Sequence, residues 1–255
     1  DQKDIQAVSK ALSSNFITTG PFVEKFEFEF SKKVSVKFST VLNSGTSALF
    51  LANKVLLKKP NEVVLVPALT FSATANAVRL NGAEVVFVDC DPSTGLITPE
   101  NVERAIILSK KKFSKVPSGI WVTHYAGQVV DLKKIYNIVK KRNMWIAEDA
   151  CHALGSEYYD NNSWKKVGSC QYSKLSVFSF HAVKNITMGE GGVVSTNDKK
   201  IYSEINLLRS HGIIRNRNLI QCKKNLLEIQ NKFNQQWFYD IFEIGFNFRI
   251  PDILC

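Results

Sequence analysis

Short, continuously apolar runs alternate with helix-like stretches along the chain between residues 43 and 197. Runs of this kind lack the apolar–polar alternation of a strand with one solvated face, so both of their faces are expected to be buried. Buried strands separated by helices are typical of a mainly parallel sheet with helices on both faces, and we therefore predict an α/β fold. The predicted strands are 63–67, 84–89, 119–124, 144–149, 175–180 and 192–195.

Several stretches between these runs carry the signals of helices. One helix is predicted through Ala73–Val78 and another from about Leu132 to Arg142. Thr98-Pro99-Glu100 opens a third, because threonine caps free backbone amides and proline fits the first turn of a helix. Farther along the chain, Leu207–Asn234 is helix-like and basic.

Polar residues stand at or just after the ends of four predicted strands: Asp89, His124, Asp149 and Ser179. In open parallel sheets, ligands bind in the crevice outside the carboxyl ends of the strands. Because these ends lie at the same edge of the sheet, the four side chains are candidates for one binding site. The pattern predicts where a site lies before it indicates what the site binds.

Composition narrows the class of function. With 255 residues, 45% of them hydrophobic, the chain can bury a substantial core. A net charge of +10 suggests an anionic partner such as a phosphate or a nucleotide. The lysines are spread over short runs, which favours a solvated basic surface, and no nucleic-acid partner is expected. No apolar run approaches the length of a bilayer span, so no membrane partner is expected either.

The cysteines and the first residues bear on the cellular compartment. Five cysteines are scattered without a CxxC pair, which favours neither a disulfide framework nor a zinc site. Unpaired cysteines fit a reducing compartment, and the charged start Asp1-Gln2-Lys3-Asp4 lacks the apolar core of a signal peptide. We therefore expect a cytoplasmic protein.

One lysine, Lys184, lies in a passage of small and apolar residues between Ser179 and Gly192. An amine held among apolar neighbours loses hydration of its charged form and becomes a usable nucleophile. Schiff-base chemistry with a carbonyl or with pyridoxal phosphate requires such an amine. Taken alone, the residue is explained as well by a lysine at a strand end whose charged group reaches water.

Two other segments offer partners for this lysine. Ser44-Gly45-Thr46 opens an apolar helix, and free amides at a helix N-terminus suit a phosphate, although a simple helix cap is an equal explanation. Asp149 follows a buried strand, where an aspartate can cap a helix, bind a metal or hold a protonated heterocyclic nitrogen. A metal would need His124 and His152 to converge on it. No GxxxxGK[ST] loop or GxGxxG fingerprint is present.

Read together, these segments are similar in order and spacing to those of a known family. The chain resembles the DegT/DnrJ/EryC1/StrS family of sugar aminotransferases, which have the fold-type-I architecture of pyridoxal-phosphate (PLP) enzymes. The sequence around Asp149 looks most like that of the branch that forms UDP-4-amino-4,6-dideoxy-N-acetyl-altrosamine in pseudaminic acid synthesis. The matching segments are Ser44–Thr46, Val66–Thr74, Val88–Asp91, His124–Gln128, Glu148–Ala150 and Ser179–Gly192.

The resemblance implies a cofactor, PLP, and a role for each matched residue. Lys184 would form the Schiff base and carry protons, and Asp149 would pair with the pyridinium nitrogen. Phe71 would stack on the ring. The phosphate would be held by Gly45, Thr46 and Ser179, and the ring 3′-oxygen would be contacted by His152, where many relatives have glutamine.

The resemblance also implies partners. Relatives are homodimers whose sites borrow residues from the neighbouring subunit, and Asn247 and Arg249 are candidates for that role. The implied reaction moves an amino group, from L-glutamate, onto a nucleotide-linked 4-keto-6-deoxy sugar in cell-surface polysaccharide synthesis. Ala182, Asn185 and Met188 depart from the family pattern, and these departures bear on the substrate more than on the chemistry. Other PLP chemistry, such as sugar dehydration or aldol cleavage, and a non-catalytic regulator remain alternatives.

The implied domain division has three parts. Residues 1–20 would form an N-terminal helix and entry segment, 21–235 the large PLP-binding domain, and 236–255 the start of a C-terminal region. Because relatives are longer, we expect a fragment truncated at both ends, with the small C-terminal domain largely missing.

Overall fold

A computed structural model describes residues 1–214 and 239–255 of the chain. The α-helices, in chain order, are α1 (Gln2–Leu12), α2 (Pro21–Val34), α3 (Gly45–Leu56), α4 (Ser72–Leu80), α5 (Pro99–Phe113), α6 (Leu132–Lys140) and α7 (Lys199–Arg209). The strands are β1 (Phe38–Leu42), β2 (Val63–Pro67), β3 (Glu84–Val88), β4 (Gly119–Thr123), β5 (Trp145–Asp149), β6 (Glu157–Asp160), β7 (Ser163–Lys166), β8 (Leu175–Ser179), β9 (Gly192–Thr196), β10 (Ile213–Ile214) and β11 (Asp240–Ile241).

A seven-stranded sheet in the order β1-β9-β8-β5-β4-β2-β3 forms the centre of the molecule. The β3-β2-β4-β5-β8 pairs are parallel, while β9 runs antiparallel to both β8 and β1. The prediction of a mainly parallel α/β sheet is therefore confirmed. Parallel order brings the carboxyl ends of β2, β4, β5 and β8 to one edge of the sheet.

Helices cover both faces of the sheet. On one face, α3, α4 and α7 bury residues such as Leu51, Val78 and Ile205 against the sheet. On the other face, α5 and α6 contribute a second cluster that includes Ile106 and Ile135. Burial of apolar side chains on both faces explains why the strands read as unbroken apolar runs.

The predicted start of α5 is confirmed. Thr98 is the N-cap, its Oγ1 accepts the amide hydrogen of Asn101 over 3.3 Å, and Pro99 occupies the first helical turn. A cap of this kind stabilises a helix by about 1 kcal/mol. It supports a long helix whose last turn carries the basic run Lys110–Lys112.

The end of α7 differs from the sequence prediction. The helix ends at Arg209, whereas a helix was expected from Leu207 onward. His211 and Gly212 adopt left-handed backbone conformations, with φ of 62° and 67°, which an α-helix cannot accommodate. The expected stretch beyond residue 214 lies outside the described residues, as does part of the predicted domain boundary at 235.

A carboxylate near residue 250 ties two distant segments together. Asp252 Oδ1 accepts the amide hydrogens of Gly20 (2.8 Å) and Val23 (3.0 Å), and its Oδ2 accepts that of Phe22 (3.2 Å). Asp252 thus caps α2, whose own N-cap residue, Gly20, has no side chain to do so. A Cβ atom at Gly20 would lie 2.4 Å from Asp252 Oδ2, so the close approach requires glycine there.

Within the two described ranges, no helix is both long enough and apolar enough to cross a bilayer.

The antiparallel hairpin of β6 and β7 is a feature that the sequence analysis missed. Both strands contain polar and aromatic residues, and Tyr159 packs edge-to-face against Trp164 on the exposed side. The hairpin lies between β5 and β8 in the chain and leaves their parallel pairing intact.

Candidate active site

A cavity of about 420 Å³ opens at the carboxyl edge of the sheet. Loops and strand ends from five parts of the chain line it, and seven of the eight predicted site residues lie on its wall. These seven are Gly45, Thr46, Phe71, Asp149, His152, Ser179 and Lys184. The eighth, Asn247, lies outside this wall, exposed and bridged to Ser210.

The start of α3 forms the first wall of the cavity. Ser44 is the N-cap, and its Oγ accepts the Ser47 amide hydrogen over 3.1 Å. The amides of Gly45 and Thr46 therefore stand at the helix N-terminus without an acceptor among the described residues. Free amides and the positive end of the helix dipole suit a phosphate.

Small residues keep this wall open. A Cβ atom at Gly45 would lie 3.0 Å from Ser179 Cβ, at the end of β8. At Gly192, which begins β9, a Cβ atom would lie 2.2 Å from the carbonyl oxygen of Ser44. The helix N-terminus therefore packs directly against the ends of β8 and β9, and the Ser179 hydroxyl stands beside the free amides. This donor set matches a phosphate group.

Asp149 forms the base of the cavity at the end of β5. Its side chain is buried, Oδ2 accepts a hydrogen bond from Thr74 Oγ1 (2.6 Å), and Oδ1 accepts one from the Cys151 amide (3.2 Å). These two hydrogen-bond donors, the Thr74 hydroxyl and the Cys151 backbone amide, are both uncharged. A buried carboxylate held by neutral donors gains most from a cationic partner, and the protonated nitrogen of a heterocycle is such a partner.

Lys184 lies on the loop that follows β8, and its backbone amide donates to the His181 carbonyl over 2.9 Å. The surroundings differ from the sequence-based expectation, since Val183 is 78% exposed and Ile186 is 60% exposed. Turns in this loop point the apolar side chains toward solvent, so the described chain does not enclose the amine in apolar groups. The lysine itself is half-buried and lines the same cavity as Asp149.

His152 lies beside these two groups. Burial, followed by the charge of Lys184, lowers the pKa of His152 below its usual value, while Asp149 acts in the opposite direction. The Ala126 amide donates to His152 Nδ1 over 3.4 Å. The neutral imidazole therefore carries its hydrogen on Nε2 and can donate a hydrogen bond from that atom.

His124 belongs to the core rather than to the cavity. It is fully buried, its Nε2 lies 2.9 Å from Glu148 Oε2, and its Nδ1 accepts the Val130 amide hydrogen over 3.2 Å. Ser173 Oγ donates to the other oxygen of Glu148. The open metal interpretation of His124 and His152 gains no support, because no group of three potential ligands occurs in the part of the chain that is described.

Other lining residues were missed by the sequence analysis, including Thr123, Tyr125, Cys151 and Glu190. Of these, Cys151 could most easily have been predicted from the sequence as a lining residue, because it lies only two positions after Asp149. Burial, reinforced by the charge of Asp149, raises the pKa of the Cys151 thiol well above its usual value. The thiol therefore stays protonated and is a poor nucleophile.

Comparison with known proteins agrees with this geometry. The sequence profile of the DegT/DnrJ/EryC1/StrS aminotransferase family matches residues 1–255. The chain belongs to this family. The resemblance inferred from the motifs is thereby confirmed, and the fold-type-I expectation is confirmed by solved family structures that superpose on the whole chain.

Individual family members are similar to the chain over its whole length. A UDP-4-amino-4,6-dideoxy-N-acetyl-beta-L-altrosamine transaminase of Campylobacter jejuni is 42% identical over 255 residues, which is 100% of this chain and 60% of that protein. Helicobacter pylori PseC, an aminotransferase involved in the biosynthesis of pseudoaminic acid, superposes with a TM-score of 0.82 at 31% identity, covering 100% of this chain and 60% of PseC.

A Streptococcus pneumoniae protein described as a sugar aminotransferase has been solved in a PLP form. It superposes with a TM-score of 0.81 at 28% identity, covering 100% of this chain and 62% of that one. The chain thus spans about 60% of the length of the family members that it matches. The roles of individual cavity residues remain predictions.

Proposed function

We propose that the protein is a PLP-dependent aminotransferase that moves an amino group from L-glutamate onto a nucleotide-linked 4-keto-6-deoxy sugar. One observation carries this proposal: Lys184, Asp149 and the open N-terminus of α3 line the same cavity. An amine, a buried carboxylate and a phosphate-binding turn are the three groups that PLP chemistry asks of a protein. Similarity to transaminases of amino sugars supports the choice of substrate.

Bound PLP supplies an electron sink that stabilises negative charge on a carbon atom of the substrate. The amides of Gly45 and Thr46 and the hydroxyl of Ser179 would hold its phosphate. Phe71, which is 72% exposed at the cavity wall, offers a free aromatic face for its ring. The residues present thus fit the cofactor in both charge and shape.

The remaining groups would manage protons. Asp149 would keep a positive charge on the ring nitrogen, because a buried carboxylate is best satisfied by a cation. Lys184 Nζ would take up the proton that leaves the α-carbon of the amino donor, and would return a proton to the sugar carbon that carried the keto group. His152, as a neutral donor through Nε2, would hydrogen-bond the 3′-oxygen of the ring.

The setting of the protein forms part of the same proposal. Exposed apolar residues around the cavity, among them Phe71, Val183 and Ile186, support a homodimer in which a second copy covers the opening. Asn247, which lies outside this chain's cavity, would then serve the neighbouring site. Unpaired thiols at Cys90, Cys151, Cys170 and Cys255 support a cytoplasmic location. The division into 1–20, 21–235 and 236–255 is retained as the proposed domain organisation.

The proposal is tested with purified protein and PLP. We expect the absorbance near the visible edge that a protein-linked pyridoxal gives, and its loss in Lys184→Ala. Lys166→Ala is the matched control, because Lys166 is also half-buried but lies on β7, away from the cavity. An unchanged spectrum in Lys184→Ala would contradict the assignment of the lysine.

The substrate is tested by supplying L-glutamate together with UDP- and dTDP-linked 4-keto-6-deoxy sugars. Mass spectrometry should detect an amino sugar and 2-oxoglutarate in equal amounts. A dehydrated sugar without 2-oxoglutarate would favour dehydratase chemistry instead. Cofactor binding without any reaction on adding glutamate would favour a non-catalytic regulator.

A further inference from the structure

Three threonine hydroxyls form a continuous chain that ends on the Asp149 carboxylate. Thr74 Oγ1 donates to Asp149 Oδ2 over 2.6 Å. Thr70 Oγ1 lies 3.1 Å from Thr74 Oγ1, and Thr123 Oγ1 lies 3.0 Å from Thr70 Oγ1. The proposed function assigns no role to any of these hydroxyls.

Counting protons fixes the direction of this threonine chain. Each hydroxyl has one hydrogen to donate, and an ionised carboxylate can only accept. Thr74 donates its only hydroxyl hydrogen to Asp149. In the contact between Thr70 and Thr74, Thr70 must therefore be the donor. Thr123 must then donate to Thr70. All three O–H dipoles therefore point toward the carboxylate, an arrangement in which each bond strengthens the next.

The sheet topology brings the threonine chain together. Thr123 ends β4 and stands opposite Asp149 of β5 in the parallel register, while Thr70 follows the neighbouring strand β2. Thr74 lies in the first turn of α4 and is fully buried. The three hydroxyls thus join the carboxyl ends of β2 and β4 to Asp149, the residue proposed to pair with the ring nitrogen.

A purely local role does not account for the Thr74 hydroxyl. A threonine in a helix usually bonds a backbone carbonyl of the preceding turn, or caps the helix. Here the N-cap position of α4 is Phe71, which makes no side-chain cap, and Thr74 Oγ1 is directed at Asp149 instead. By contrast, the hydroxyl of Thr196, at the end of β9, is satisfied by the backbone, since its Oγ1 donates to the Lys174 carbonyl over 2.7 Å.

We propose that Thr74 is a positioning residue that, supported by Thr70 and Thr123, fixes the orientation of the Asp149 carboxylate opposite the ring nitrogen. The inference rests on the proposed function and deepens it. Donors aimed at a buried carboxylate favour its charged form, and only the charged form can pair with a protonated ring nitrogen. Without the Thr74 hydroxyl, Oδ2 of Asp149 loses its side-chain donor, the carboxylate is free to rotate away from the ring nitrogen, and the positive charge on that nitrogen is less well stabilised.

The test compares Thr74→Val, Thr74→Ser and Thr196→Val in the intact protein. Valine keeps the shape of threonine without its hydroxyl, serine keeps the hydroxyl, and Thr196 is an equally buried threonine away from the cavity. PLP labelled with ¹⁵N at the ring nitrogen reports the protonation of that atom by NMR, without turnover. The dissociation constant of PLP from each variant is measured on the same samples.

We expect Thr74→Val to shift the ¹⁵N signal toward that of neutral pyridine and to weaken PLP binding. Because a hydrogen bond to a charged group is lost, kcat should fall about tenfold while KM stays within about twofold. Thr74→Ser should restore the wild-type signal, and Thr196→Val should leave it unchanged. A signal that does not move in Thr74→Val, with wild-type protein loaded, would overturn this inference alone.

Two further outcomes separate the possible failures. A wild-type protein that gives no bound ¹⁵N signal would overturn the proposed function and this inference with it. If Thr74→Val does not fold, Thr70→Val decides the question, because it removes the support and keeps the bond between Thr74 and Asp149. A smaller shift in the same direction is then expected, and an unchanged signal would overturn the inference.

Discussion

The two sides of the cavity differ in how firmly the chain holds them. At the end of β5, Asp149 is buried and receives two hydrogen bonds. Opposite, Lys184 lies on a loop whose neighbours Val183 and Ile186 are exposed. In the proposed function, the side that supplies a fixed charge is built into the sheet, and the side that moves protons is on a loop. Preorganisation is thus confined to the group that must not move.

The largest effect is expected at Asp149, where removing the charge should affect activity and the free energy of unfolding differently. Asp149→Asn keeps the shape but removes the charge, so kcat/KM should fall about a thousandfold, or ~4 kcal/mol. The free energy of unfolding should stay equal or rise, because a buried charge is removed. Steady-state kinetics and urea unfolding measure the two quantities.

Asp160→Asn is the matched control for this prediction. Asp160 is also buried, but it is paired with Lys133 and Tyr172 at the hairpin, away from the cavity. It should lose stability and keep kcat/KM. A loss of less than tenfold in Asp149→Asn would contradict the assigned role.

The neighbouring carboxylate should show the opposite behaviour. His124→Phe leaves Glu148 buried with Ser173 as its remaining side-chain partner, and should lower the free energy of unfolding by about 3 kcal/mol. The activity of the folded fraction should change little, since His124 does not line the cavity. Urea unfolding monitored by Trp fluorescence checks the first quantity, and an unchanged midpoint would show that the buried pair is dispensable.

At the phosphate wall, Gly45→Ala should weaken PLP binding about tenfold, equivalent to ~1.4 kcal/mol. The added methyl group would stand 3.0 Å from Ser179 Cβ and 3.3 Å from its Oγ, pushing that hydroxyl away from the free amides. Pyridoxal, which has no phosphate, is the matched control ligand. Equal weakening of pyridoxal and PLP would contradict a phosphate site at this turn.

Acidification should expose a smaller difference. Burial lowers the pKa of His152 below its ordinary value of 6.5, so the unfolded chain takes up a proton before the folded one does. The stabilising contribution of the neutral imidazole is therefore complete above pH 6.5 and is lost as the pH falls through the folded-state pKa. His152→Gln should lose less unfolding free energy than wild type between pH 7.5 and pH 5.5 in urea titrations. Identical losses would argue against a shifted histidine.

The smallest effect is expected on the open side. Val183→Ser and Ile186→Ser should each change the free energy of unfolding of the monomer by less than about 0.5 kcal/mol, because both side chains are already exposed. Phe180→Ala, at the buried start of the same loop, should cost about 3 kcal/mol. A large loss in either serine variant, measured by thermal or urea unfolding, would mean that the loop packs more closely than described.

The sequence predicted six of the seven strands of the central sheet and seven residues of the cavity wall, but not β1. Apolar runs are local signals, and parallel order then sends every strand end to the same edge, so Asp149 and Ser179 could be placed together from the sequence. The position of α7 was less predictable. A basic amphipathic pattern continues past residue 209, and the left-handed conformations of His211 and Gly212 that stop the helix depend on contacts with residues 245 and 246.

What the sequence could not supply is the direction of each side chain. His124 and Asp149 both stand at strand ends, yet one enters the core and the other the cavity. The link between Thr74 and Asp149 joins positions 75 residues apart, and no local pattern records such a distance. The solvent exposure of Val183 could not be predicted either, because the sequence does not show whether an apolar residue in a loop is buried or exposed.

The capping of α2 by Asp252 has a consequence for the order of events during synthesis. Gly20 and the residue that accepts its amide hydrogen are 232 positions apart. At a translation rate of about 5–20 residues per second, the amides at the start of α2 wait on the order of ten seconds or longer for their acceptor to leave the ribosome. The helix can form earlier, but its N-terminus is secured only when the far segment docks. A nascent chain halted before residue 252 would therefore carry a frayed α2, detectable as early proteolytic cleavage near Gly20.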